Sequence, residues 1–112
     1  MSDARLPAHL EVSALIRAAE AAGGFGTVIS SGERDAGVIL ILTIERGQNA
    51  RLWERMPRLD GHRQFEVVRK QSPENKQDFL NYLDRRIASD SDIWLIELDV
   101  AEPERLVAEF AR

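Results

Sequence analysis

Apolar residues along this chain recur with two periods. Over residues 7–22, Leu15, Ala18, Ala19 and Ala22 fall at helical spacing in an alanine-rich stretch closed by Gly23 and Gly24. Residues three and four apart share one helix face, and glycine supplies the backbone on which helices end, so a first helix is predicted there. Leu10, Val12 and Ala14 alternate, which leaves a short strand before a shorter helix as a second reading of its start. Phe25–Ser30 carries Thr27, Val28 and Ile29, and residues 38–44 read VILILTI, so both predict strands. The second is apolar at every position from 38 to 42, the mark of a central strand covered on both faces, or nearly so.

Gly47, Gln48 and Asn49 turn the chain into a third strand over residues 50–56, and Leu59-Asp60-Gly61-His62 turns it again into Arg63–Lys70. Asp-Gly between strand-like runs is a strong hairpin signal. Ser72 as N-cap, Pro73 at the first helical position and the acids Glu74 and Asp78 predict a second helix. Its apolar face is Phe79, Leu80, Leu83 and Ile87, and Asp90-Ser91-Asp92 breaks it. Residues 93–98 form a last strand, and residues 103–110 a short helix with Leu106, Val107 and Phe110 inward. The order predicts one α+β domain over residues 1–112, with residues 1–6 flexible. Its short connections imply a mainly antiparallel four- to five-stranded meander, the fifth strand added by the crossover helix, with about three helices packed on one face.

Composition narrows the chemistry. A 112-residue chain with 44% hydrophobic and 30% charged residues suits a single core. It has no cysteine, which rules out disulfides, thiolate nucleophiles and cysteine-ligated metal. His9 and His62 alone read as surface residues, although carboxylates by themselves bind hard cations. No cofactor or metal site is indicated. The start of the chain has no signal- or transit-peptide pattern, and the longest apolar stretch, residues 38–42, is far short of the about 20 residues of a membrane helix. A cytoplasmic, non-membrane protein is expected.

Charge is unevenly spread. Residues 45–70 hold seven basic residues against four acids, while the whole chain is at −4, with most of the acidic excess after Asp90. If Asp60 and Gly61 are the central turn residues, the ladder sets Arg55 opposite Glu66 and Trp53 opposite Val68. Leu52, Met56, Phe65 and Val67 then face the core, and Arg51, Trp53, Arg55, Glu66 and Lys70 face away from it. An aromatic among arginines on a sheet can stack a planar ligand and neutralise an anion. The plainer reading is a Trp53 covered by a helix, with basic side chains snorkelling around it.

Three other features have plain readings. Gly23-Gly24-Phe25-Gly26 follows a helix and precedes a strand, the reverse of a phosphate loop, and reads as a helix cap. Glu33 and Asp35, in the polar connection over residues 31–37, read as turn chemistry or as a cation or acid–base pair. Trp94 reads as core.

Several stretches together resemble a family: Val12-Ser13-Ala14-Leu15-Ile16-Arg17, Gly32 to Gly37 followed by Val38-Ile39-Leu40, the Arg-rich hairpin, and Asp92-Ile93-Trp94-Leu95-Ile96-Glu97. The chain resembles the short bacterial proteins of the domain of unknown function 1491 family over nearly its whole length. That family's loop begins Arg-Gly-Asp where this chain has Ser31-Gly32-Glu33. The resemblance implies one domain and carries no activity.

The first functional expectation is therefore a non-catalytic binding or protein-interaction domain, with Arg51, Trp53, Arg55, Lys70, Glu33 and Asp35 as candidate binding residues and no assembled catalytic set. Its expected partners are a protein or a small anionic ligand. A basic hairpin and an acidic C-terminal third can also complement each other between copies, which predicts a homodimer. The alternative is a small hydrolase or transferase acting on an anionic metabolite, with Glu33 or Asp35 as base and hairpin arginines as clamp. It requires those groups to share one pocket. Duplex nucleic acid is disfavoured by the net charge and by the small size of the basic patch.

Overall fold

The computed structural model describes residues 6–57, 59 and 63–110. Within them the chain runs α1 (Ala8–Ala21), β1 (Phe25–Ser30), β2 (Ile39–Glu45), β3 (Gln48–Pro57), β4 (Arg63–Lys70), α2 (Lys76–Ser89), β5 (Trp94–Asp99) and α3 (Pro103–Glu109). The five strands form one open sheet in the order β1-β5-β2-β3-β4. Three of the four strand pairs are antiparallel, and β5 lies parallel to β2, which makes this the α+β fold expected from the pattern. The Asp60-Gly61 turn, His62 and nearly all of residues 1–6 lie outside the described residues. No helix among the described residues is long and apolar enough to cross a membrane.

Two features depart from the expected meander. β1 does not pair with β2, because β5 is inserted between them. Burial explains the choice: β5 is buried at most positions and belongs inside the sheet, whereas β1 is exposed at most positions and takes the edge. The helices also divide between the two faces instead of gathering on one. On β2, Ile39 and Ile41 pack with Val12 and Leu15 of α1 and Leu106 of α3, while Leu40 and Leu42 pack with Phe79 and Leu83 of α2. Successive strand residues point to opposite faces, so α2 lies opposite α1 and α3. The unbroken apolar run of β2 requires this double cover.

Local details fix the frame around the site. α1 is helical from Ala8, so the alternation of Leu10, Val12 and Ala14 marks no strand. The amides of Ala8 and His9 donate to the carbonyls of Asp35 and Arg34, each at 2.9 Å, so the 31–37 connection caps this helix. At its other end Gly23 has φ 87°, and the amides of Gly24 and Gly23 donate to Ala19 and Glu20 carbonyls. That paired bonding is a Schellman cap, which needs a left-handed residue where glycine stands.

The β2–β3 turn is Arg46-Gly47, one residue earlier than expected, with both φ values positive (53° and 76°) as a two-residue hairpin turn requires. α2 starts at Lys76, later than Ser72 and Pro73 suggest. Asn75 explains the delay, since its side chain accepts from the Ser72 amide and donates to the Lys70 carbonyl, holding a separate turn at the end of β4.

Candidate functional site

The β3–β4 ladder decides where the candidate residues point. Near the hairpin end Arg55 pairs with Phe65, Glu54 with Glu66 and Trp53 with Val67, one residue out of the expected register. A bulge between Leu52 and Trp53 then restores the expected pairing of Arg51 with Lys70. A one-residue slip sends every side chain of one strand to the other face. Phe65 and Val67 therefore join Trp53 on the α1 and α3 side instead of opposing it.

Trp53 is consequently 7% exposed and packed in the core. Its indole N–H donates to Thr43 Oγ1 at 2.8 Å, and that threonine is itself fully buried. This placement bears out the plainer reading of a helix-covered Trp53 and corrects its assignment as a binding residue on an open face, because that side of the sheet lies beneath α1 and α3. Trp94 is a core aromatic, its N–H donating to the Glu33 carbonyl at 2.7 Å.

Arg51 and Arg55 rise from the same strand into two different clefts. Arg55 forms a two-pronged ion pair with Glu11 of α1 and stacks over the Phe65 ring at 4.4 Å. It shares a cleft of about 350 Å³ with Glu11 and Asp35. Arg51 lies against the Trp53 ring, 5.9 Å away, and pairs with Glu45 at 2.9 Å and with Glu104 of α3. It lines a second groove of about 300 Å³ with Asn49, Lys70, Gln71 and the same two acids. Its Nε is the one buried side-chain N or O atom among the described residues that has no hydrogen-bond partner.

Glu33 points back into its own loop. Its Oε2 accepts from the amides of Ala36 at 2.6 Å and Asp35 at 2.7 Å, and these bonds hold its carboxyl below the usual carboxylate range. The Glu104 carboxyl is lowered too, first by its own backbone N–H and then by Arg51. Asp35 lies 3.9 Å from both the His9 and the Arg34 side chains. The six candidates thus separate: Arg51 with Lys70, Arg55 with Asp35, Trp53 in the core, and Glu33 in its turn. Two arginines of the basic hairpin are answered within the chain, Arg51 by Glu45 and Glu104 and Arg55 by Glu11, while the hairpin's Glu54 pairs with Arg86 of α2.

Four site residues escaped the pattern reading: Glu11, Thr43, Glu45 and Glu104. Glu11 had a usable signal, because it stands four residues before Leu15 and eight before Ala19, inside the apolar stripe of α1. An acid on such a stripe calls for a buried cation. Glu45 and Glu104 carry no comparable signal, since their meeting at Arg51 depends on how α3 returns to the sheet. No three His, Asp or Glu side chains among the described residues gather closely enough to hold a metal ion.

Comparison with known proteins agrees with this architecture. A crystal structure of a DUF1491 family protein from Caulobacter crescentus is 35% identical, covers 83% of this chain and 86% of its own, and superposes with a TM-score of 0.73. An NMR structure of a DUF1491 family protein from the same organism is 32% identical over 91% of this chain and 92% of its own, with a TM-score of 0.74. The solution structure of protein Atu0922 from A. tumefaciens is 29% identical over 94% of both chains, with a TM-score of 0.75. No curated protein matches. Residues 6–108 match the profile described as protein of unknown function (DUF1491), and the chain belongs to that family.

Proposed function

We propose that this protein is a small binding domain with no chemistry of its own, and that it takes a small carboxylate- or phosphate-bearing molecule in the groove beside Arg51 and Lys70. The observation that carries the reading is the groove that sets Arg51, whose buried Nε has no acceptor within the protein, beside Lys70. A buried donor without an acceptor costs about 1–3 kcal/mol, and native structures leave few of them. That Nε has no accessible surface, so it gains a ligand oxygen as its acceptor when the Arg51 side chain turns outward into the groove. Glu45 and Glu104 already pair with the Arg51 guanidinium in this groove, so Lys70 supplies the further positive charge at the opening, and the Asn49 and Gln71 amides can bond the remainder of a polar ligand.

The catalytic alternative has less support. A general base working near neutral pH needs a raised carboxyl pKa, whereas that of Glu33 is lowered by its own loop amides. Asp35 does share a cleft with Arg55 and Glu11, but Glu33 does not line it, so the two loop carboxylates do not meet there as an acid–base pair.

Thermal unfolding with inorganic phosphate or citrate, at constant ionic strength, tests the binding proposal. A ligand at ten times its dissociation constant stabilises the fold by about 1.4 kcal/mol, or about 5 °C in Tm for a domain near this size. The wild type is expected to respond and Lys70→Ala to respond several-fold less. Equal responses in the two proteins would place the binding elsewhere.

A further inference from the structure

Arg51 holds its two acids unevenly. A guanidinium offers a planar oxyanion two forks, one made by its two Nη nitrogens and one by Nε–H together with an N–H of Nη2. Glu45 and Glu104 both pair with the same nitrogen, Nη2, while the buried Nε has no acceptor. The Nε–Nη2 fork is therefore half used, and two like charges crowd one of its arms. A bidentate carboxylate or phosphate on that fork would satisfy both nitrogens at once. It needs one of the places at Nη2 that the acids now hold.

The two acids are not held alike. Glu45 ends β2 beside the β2–β3 turn, and its side chain is 34% exposed. Glu104 stands in the first turn of α3, and its side chain is 54% exposed. Pro103, Leu106 and Val107 are buried and seat that helix, so the Glu104 side chain can swing into water while α3 stays in place. An exposed ion pair contributes little to stability, whereas a buried donor left unmade is costly. Exchanging the Glu104 contact for a ligand that also reaches Nε is therefore favourable.

We infer that Glu104 is a built-in competitor for the groove: in the free protein its carboxylate holds Arg51 inward at Nη2, and a bidentate carboxylate or phosphate enters by displacing it. The inference rests on the proposed reading of the groove and adds how that site is kept closed. On binding, Arg51 turns outward with Nε–H and an Nη2–H on the ligand and keeps Glu45 as its remaining internal partner. Lys70, on the same groove, faces the incoming charge.

Calorimetric titration with citrate and with inorganic phosphate, at constant ionic strength, tests this. Glu104→Gln is expected to bind the anion several-fold more tightly than wild type. Glu109→Gln removes the same charge from an exposed position of the same helix and should bind as wild type does. A second measurement separates displacement from simple charge repulsion. In 13C-labelled wild type at neutral pH, the Glu104 carboxyl resonance should move toward that of a free glutamate as the anion saturates, in step with the Arg51 side chain. If binding depends on Lys70 but Glu104→Gln and Glu109→Gln have the same affinity, or if the Glu104 carboxyl stays fixed while Arg51 moves, the competitor is overturned and the groove reading stands. If neither wild type nor folded Glu104→Gln binds either anion saturably, both fall together.

Discussion

Replacing Trp53 by Ala removes one of the two tryptophans on the α1 side of the sheet, and the structure supplies the size of the loss. The indole is buried, so its removal leaves a core cavity costing about 3–5 kcal/mol. It also leaves the fully buried Thr43 hydroxyl without its indole donor, which adds roughly 1 kcal/mol. A total of about 4–6 kcal/mol is a large fraction of the roughly 6–17 kcal/mol expected for a domain of this length. Trp53→Phe separates the two contributions, because it keeps most of the ring and loses the N–H, at about 1–2 kcal/mol for the bond. Adding Thr43→Val to Trp53→Phe removes both polar partners and should recover part of that loss. Urea unfolding followed by circular dichroism measures the wild type and all three variants, with the slope checked for two-state behaviour. A loss below about 1 kcal/mol in Trp53→Ala at unchanged slope would refute the burial and, with it, the observed register of β3 and β4.

Three further outcomes follow from other contacts. Glu33 has its folded pKa depressed, so its contribution is present above the unfolded carboxylate value and is lost as pH falls through the folded one. The Tm of wild type should therefore exceed that of Glu33→Gln at neutral pH and converge with it in strong acid, whereas parallel pH profiles would contradict the loop bonds. Glu11→Leu or Arg55→Met alone should cost about 2–3 kcal/mol, after allowance for the partial exposure of the arginine, and the double variant less than the sum, in a denaturation cycle. A Cβ on Gly32 would lie 2.1 Å from the Asp92 carbonyl oxygen, so Gly32→Ala should lower Tm by several degrees. An unchanged Tm would mean that the loop does not pack against the start of β5.

The elements were largely legible because period carries them: the helical stripe of α1, the apolar run of β2 and the Pro-initiated α3 all stand where the pattern puts them. What the pattern missed is set by long-range competition. Whether β1 or β5 lies beside β2 depends on which strand can be buried on both faces, a comparison between segments that neither one's period contains. The site was less legible for a sharper reason. A single bulge at Leu52/Trp53 moves Phe65 and Val67 across the sheet, and nothing in residues 50–70 marks it. The basic hairpin was visible as charge, but its neutralisation by Glu11 and Glu104 depends on tertiary placement of α1 and α3.

The side-chain Nε–H of Arg51 reports on the proposed groove most directly, because it is the group left without an acceptor. In a 15N-labelled sample its resonance can be followed by NMR while inorganic phosphate or citrate is added at constant ionic strength. The account predicts a saturable shift of that resonance, accompanied by the Lys70 and Gln71 amides and absent from the Arg55 side chain in the other cleft. An Arg51 Nε–H resonance that stays fixed while the protein binds either anion, or one that moves only in step with Arg55, would contradict it.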